Sequence, residues 1–363
     1  MSPLLSVLLL TSFTVAACVA ADAPRPVEYR PAASLERLQH AYVDAPEVGI
    51  IRDFDLAGDR LYLLDRMDAV HVLERTRDGW AKVGEWGSRG AGPGEFRNAS
   101  GLAVTPAGDV AVIEAERLQL FSHNGTVLGT FTTRLPCQMM LPGIASSGAG
   151  FMVYGNCMRR GLVTDTMKAV VAWTADTARY RIVAEEPRFT RDGTVGSMFS
   201  APQALVPTAD GSFLFGTGSN DCVTTLSAPA VAGVTYRARA PAASRRCGLV
   251  QTRYSAPPPP EITARIRAGG GPGRVALTWP DALPAYIDRV QAGSTLVLLR
   301  PFTADSLVLQ AAEPGGRDIA VAPLNGFVAC KAAGCLWILE DTRPMRIVLL
   351  EAGRIRELLG TNL

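Results

Sequence analysis

The sequence predicts an all-β chain made of one repeated unit of four short strands. Two observations carry that reading: the plan recurs at a period of about 40 to 50 residues, and turn residues cut the apolar runs short. Starting at Val48, "VGIIRDFDLAG", "DRLYLLDRM", "AVHVLERTRDG" and "AKVGEWG" read as four antiparallel strands. Residues 100 to 133 repeat the plan with "SGLAVTPAG", "DVAVIEA", "RLQLFSHNG" and "TVLGTFTT". The end of the chain repeats it with "FVACKAAG", "CLWILEDT", "PMRIVLLEAG" and "RIRELLG", and looser copies fall at about 138 to 186, 202 to 240 and 286 to 324. Four strands cannot bury both faces of their own sheet, so the copies must stack around an axis. The expected fold is an all-β, six-bladed β-propeller of four-stranded antiparallel blades over residues 48-360.

Composition narrows the function classes. The 363 residues are 48% hydrophobic and 19% charged, which is globular and leaves ample chain for a core. Thirty-six basic residues oppose 34 acidic ones, a formal net charge of +2. No strong field steers such a chain onto nucleic acid or anionic lipid, so no nucleic-acid partner is expected. Lysine occurs only at 82, 168 and 331, which reads as genome composition rather than function.

The N-terminus reads as an export signal. "LLSVLLLTSFTVAAC" has the length of a secretory apolar region and is too short and too early for a spanning helix. Val15-Ala16-Ala17-Cys18 resembles the bacterial lipobox, which makes Cys18 a lipidation candidate, while the small residues at 20 and 21 also permit ordinary cleavage before Asp22. The expected organisation is a signal peptide at 1-21, an N-terminal linker at 22-47 and the propeller thereafter. The expected location is periplasmic or outer-membrane-anchored, alternatively secreted. The only expected membrane contact is the lipid, and the expected state is a monomer.

Six cysteines remain beyond Cys18: Cys137, Cys157, Cys222, Cys247, Cys330 and Cys335. An even count in an exported chain points to disulfides. There is no Cys-x-x-Cys pair and His40, His71 and His123 lie far from them in sequence, so a zinc site is not expected. The strand plan puts sequential cysteines in the same unit and at matching ends. It predicts 137–157, 222–247 and 330–335 among the fifteen connectivities that six cysteines allow.

The stretch "GSRGAGPGEF" at 87–96 is glycine-rich but fits neither the dinucleotide fingerprint nor the P-loop, and strands rather than a helix follow it. Gly90, Gly92 and Gly94 are expected to permit positive φ where the chain crosses between blades. Phe96 is expected to plug the core between them. The segment "GAGPGEFRNASGLAVTPAGDVAVIEAERLQLFSHNGTVLGTF" resembles a repeat of the NHL-type six-bladed propellers. It departs at Ala99, where proline is usual, and at Thr105 and Glu114, where aspartates are usual. The resemblance covers 48 to 133 and 326 to 360. It implies six blades, and relatives of that kind include calcium-dependent lactonases and a zinc-dependent lyase acting on amidated peptides, whose ligand residues have no position-by-position counterparts here.

Between the fourth and fifth units, about 245-285, the sequence lacks strand periodicity. Pro257 to Pro260 predict a polyproline II arm and "EITARIRA" a short helix, together a loop covering one face.

Chemistry-bearing residues are few. His71 lies in an alternating strand and His123 beside a turn, so both read as packing or surface residues rather than members of a nucleophilic triad. Asp53, Asp55, Asp59, Asp65 and Asp68 suggest a metal or acid/base pair, but their spacing follows the turns that aspartate commonly closes. Arg159, Arg160, Arg245 and Arg246 are adjacent pairs that could bind an acidic ligand or be solvated loop charge. No catalytic residue, metal ligand or cofactor is assigned. The leading function is an extracytoplasmic, non-enzymatic binding or scaffold propeller that takes a protein, peptide or glycan at the cell envelope on its loop face. The rival is a divalent-metal-dependent hydrolase or lactonase with a carboxylate-lined channel. RNA binding is disfavoured by export and by charge.

Overall fold

The computed structural model describes residues 28–29, 42–44, 50–77, 79–105, 107–114, 117–132, 138–147, 150–158, 166–173, 181–187, 205–208, 210–216, 222–227, 243–249, 263, 288–292, 294–301, 306–312, 318–323, 328–331, 334–339 and 346–358. Two short strands come first, β1 (Glu28–Tyr29) and β2 (Tyr42–Asp44). The first sheet is β3 (Ile51–Ala57), β4 (Arg60–Asp65), β5 (Val70–Thr76) and β6 (Gly79–Trp86). After a small parallel pair, β7 (Ser88–Arg89) and β8 (Glu95–Phe96), the second sheet is β9 (Gly101–Val104), β10 (Val110–Ile113), β11 (Arg117–Phe121) and β12 (Val127–Thr132). The third is β13 (Gln138–Ser147), β14 (Gly150–Met158), β15 (Thr166–Trp173) and β16 (Arg181–Pro187). The fourth is β17 (Leu205–Pro207), β18 (Phe213–Phe215), β19 (Val223–Leu226) and β20 (Ala243–Arg246). The fifth is β21 (Asp288–Ala292), β22 (Thr295–Pro301), β23 (Ser306–Ala311) and β24 (Asp318–Pro323). The last is β25 (Val328–Lys331), β26 (Gly334–Leu339) and β27 (Arg346–Glu351), followed by helix α1 (Ala352–Leu358).

Successive sheets pack face to face. Tyr62, Leu64, Val70 and Val72 of the first meet Phe96, Leu102, Val104, Val110 and Val112 from the second sheet and the link before it. Ala103, Ala111, Ile113 and Leu118 on the other face of the second meet Ile144, Phe151 and Val153 of the third. Ala145, Met152 and Tyr154 then meet Leu205, Phe213 and Phe215, and Leu214 and Val223 meet Leu296 and Leu298. Strands such as "GLAV" and "VAVI" are buried on both faces, which is why they read as unbroken apolar runs rather than strict alternation. The first strands of the sheets contact one another, β3 with β9, β9 with β13, β13 with β17 and β21 with β25, while β2 of the last sheet contacts β6 of the first. Antiparallel sheets stacked around a common centre in this way form a β-propeller.

The N-terminal segment is not a free linker. β2 pairs antiparallel with β27 and makes the fourth strand of the last sheet, in the order β2-β27-β26-β25. β1 adds to β24 in parallel and extends the fifth sheet to five strands. Both cover edges that would otherwise expose unpaired backbone groups. The strand expected at "RIRELLG" is instead α1. Its Ile355 is buried while Arg354 and Glu357 pair at i,i+3 on the exposed side, a spacing that suits a helix and not a strand. Ala243–Arg246 pairs with β19 as the outer described strand of the fourth sheet, so the first residues expected in the insertion belong to the sheet, while "GVTYRARA" lies outside the described residues. Residues 250–262 and 264–287 lie outside the described residues, as do residues 1–27 with Cys18.

The glycine-rich link behaves as expected at Phe96 and differently at two glycines. Phe96 is fully buried between the first two sheets, with Trp86 and Phe121 at ring distances of 6.4 and 5.7 Å. Gly94 has φ +82° and Gly87 φ +89°. Gly90 and Gly92 do not adopt positive φ; they are small because the loop wraps the Glu95 carboxylate. A Cβ on Gly90 would stand 2.1 Å from Glu95 Oε2, and the Gly92 N–H donates to that oxygen at 2.7 Å. The three departures from the NHL pattern are each bonded. Ala99 donates its N–H to Asp68 Oδ1 at 3.0 Å, which proline could not do. Thr105 Oγ1 accepts the Asp109 N–H at 3.0 Å, and Glu114 accepts from Arg97 N and pairs with Arg117.

Candidate functional site at the ring axis

The charged residues at the centre of the ring are buried and bonded to one another or to the backbone. On β3, Asp53 and Asp55 alternate with Phe54, so both carboxylates leave the same face of the strand. Each clamps the next sheet: Asp53 Oδ2 accepts the Leu102 N–H at 2.8 Å and Asp55 Oδ2 accepts the Val104 N–H at 2.9 Å. Their other oxygens accept from the following residue of their own strand, Phe54 and Leu56, each at 2.9 Å. The expectation that these aspartates close turns is therefore corrected. They are strand residues that tie β3 to β9, and their i,i+2 spacing is the signal that could have found them. Asp65 does close a turn, accepting from Met67 and Ala69, and Asp68 sits in that turn at φ +68°.

Lys331 reaches this centre from β25. Its side chain is 1% exposed, and Nζ lies 3.3 Å from Asp53 Oδ1, 3.4 Å from Asp53 Oδ2 and 3.1 Å from the Leu102 carbonyl oxygen. The Ile144 carbonyl on β13 accepts at 3.5 Å. One ammonium thus joins the last sheet to the first three. Sequence reasoning read the scarcity of lysine as composition and missed it. Arg289, fully buried on β21, donates to the carbonyls of Leu214 at 2.7 Å and Gly216 at 3.2 Å beside Asp288. Burial raises the Asp55 carboxyl above its usual range against the opposing pull of Lys331, and burial, followed by the nearby Asp53 and Asp288 charges, holds the Tyr154 phenol well above its own.

A second buried pair lies on the first sheet. His71 Nε2 is 3.0 Å from Asp65 Oδ2, and its Nδ1 stands 3.3 Å from Glu85 Oε2 without the alignment of a hydrogen bond. Glu85 is lowered chiefly by Lys82. The histidine is thus a buried residue held between two acids. His123 lines an open cleft with Arg60, Glu85, Trp86 and Asn124.

The arginines are placed only in part. Arg245 and Arg246 are exposed on β20, opposite Thr224 and Val223. Arg159 and Arg160 lie outside the described residues, as does Cys137. Cys222 and Cys247 are bonded, as expected, beside the Arg pair. Cys330 and Cys335 are register partners across β25 and β26, and Cys157 stands opposite Met139 near the start of β13.

A divalent metal does not fit the central carboxylates. The Asp53 oxygens are spent on two N–H groups and the ammonium, the Asp55 oxygens on two more N–H groups. Asp59 is exposed at the far turn, and among the described residues no group of three or more His, Cys, Asp or Glu converges as metal ligands.

No family model matches the chain, and no curated protein matches it. Solved structures with a similar course include the RRP9 WD40 repeats, at 10% identity over 84% of this chain and 95% of that one with a TM-score of 0.44. The Cps50 (Swd1) β-propeller domain of Myceliophteria thermophila matches at 12% identity over 85% and 98%, TM-score 0.42. Virginiamycin B lyase from Staphylococcus aureus matches at 11% identity over 79% and 76%, TM-score 0.39.

Proposed function

We propose that this chain is an exported, six-bladed NHL-type propeller that binds a protein, peptide or glycan on its loop face and catalyses no reaction. In this reading the six stacked sheets are the six blades, the first 21 residues are cleaved, and Cys18 carries the lipid when the lipobox is used. The observation that carries it is Lys331: its ammonium sits at the axis among the oxygens that a channel metal would need. Recognition then falls to the rim and loops, where Arg245 and Arg246 are exposed for an acidic group. The test joins two measurements on residues 22–363. Binding to peptide and glycan arrays is expected, and the Arg245→Ala/Arg246→Ala double variant is expected to lose acidic ligands. Thermal unfolding is expected to be unmoved by EDTA or by added calcium or manganese. A midpoint that falls with EDTA and returns with metal would overturn the reading in favour of a metal-dependent hydrolase.

A further inference from the structure

Thirty-three of the 36 basic residues are arginine (36 minus the lysines at 82, 168 and 331), yet the cation that meets Asp53 at the axis is Lys331. The oxygens around it converge on a point. Asp53 supplies both carboxylate oxygens from β3, Leu102 a carbonyl from β9 and Ile144 a carbonyl from β13, all 3.1 to 3.5 Å from Nζ. A planar guanidinium presents its donors as a rigid fork and does not fill such a cradle, whereas an ammonium is a compact point charge.

The cradle is held without the lysine. Asp53 is fixed by the N–H groups of Leu102 and Phe54, and Leu102 is itself in the β9–β10 ladder opposite Val112. Its dimensions suit an ammonium. Calcium sits at about 2.3–2.6 Å from its oxygens and magnesium at about 2.0–2.1 Å, and one carboxylate is too little charge for either. Asp55, two residues on, turns its oxygens to the N–H groups of Leu56 and Val104.

We propose that the ring axis is a monovalent-cation site whose resident cation is the tethered ammonium of Lys331, so that deleting the side chain opens the cradle to a free alkylammonium. The inference is independent of the loop-face ligand.

The experiment is thermal unfolding of Lys331→Ala in the chain 22–363, with n-propylammonium, which replaces the deleted atoms, against choline and calcium at matched ionic strength. The variant is expected to melt about 10 °C below wild type, since it removes the ammonium from a buried carboxylate. n-Propylammonium is expected to restore about 5 °C of that, saturably. Choline and calcium are expected to restore nothing, and wild type is expected to respond to none of the three. No recovery beyond choline, or recovery with calcium alone, overturns the proposal. Should Lys331→Ala fail to fold, Lys331→Met and Asp53→Asn/Lys331→Met are compared. The double variant must recover much of what the single one loses, and a double variant no better than Lys331→Met overturns the proposal.

Discussion

Replacing Phe96 by alanine tests the inter-sheet core directly. The ring is fully buried in the cluster that joins the first two sheets, and it contacts the rings of Trp86 and Phe121. Deleting a buried phenylalanine costs about 3–5 kcal/mol, the spread reflecting how far the site can collapse. Collapse is restricted here, because the Gly87 backbone already lies on the ring: a Cβ there would come within 2.6 Å of Phe96 Cε2. The upper half of the range is therefore expected, against a whole-domain stability of about 5–15 kcal/mol. Urea unfolding followed by tryptophan fluorescence and far-ultraviolet circular dichroism measures the loss, with Trp86 as a local reporter. Val83→Ala, at a residue 53% exposed, is the control and is expected to stay within about 0.5 kcal/mol. A loss below about 1 kcal/mol for Phe96→Ala would show that Phe96 does not join the sheets.

Two further outcomes are expected. Asp55 has a folded-state pKa raised above its unfolded value by burial, so the stability it contributes is fully present below the unfolded value of about 3.9 and is lost as pH rises through the folded value. Asp55→Asn should flatten stability against pH across that window, and an unchanged slope in urea titrations from about pH 3 upward would refute the assignment. The Cys222–Cys247 bond closes a 25-residue separation, so Cys222→Ser/Cys247→Ser should cost about 3.5 kcal/mol by loop entropy. Equal urea midpoints for the oxidised wild type and the variant would refute it.

Much of the ring was legible because its signals are local. In residues 101–132 the apolar runs and the Pro-Ala-Gly and Asn-Gly turns specify four strands, and the structure has them at β9 to β12. Phe96 was legible for the same reason, standing between a glycine cluster and a strand. The closing strand β2 was not, because three residues, "YVD", carry no periodicity and their partner β27 lies at the other end of the chain. The axis was half legible. Asp53 and Asp55 announced themselves as a carboxylate cluster, but which groups they face depends on β9 and β25. Lys331 reads locally as one charge in an apolar strand, and nothing near it in sequence points to an acid 278 residues away.

The way the last sheet is completed also orders events in time. Tyr42–Asp44 are made long before Arg346–Glu351, yet they have no edge to join until those residues exist. Lys331 meets Asp53 under the same constraint. The earlier sheets can form as they are synthesised, but the ring stays open, with β2 and the axial carboxylate both waiting for their partners, until β25 and β27 are made. A nascent chain stalled before that point would carry a bare strand edge and a buried acid without its cation. Partially made molecules should therefore be the form of this protein most prone to mispairing with one another.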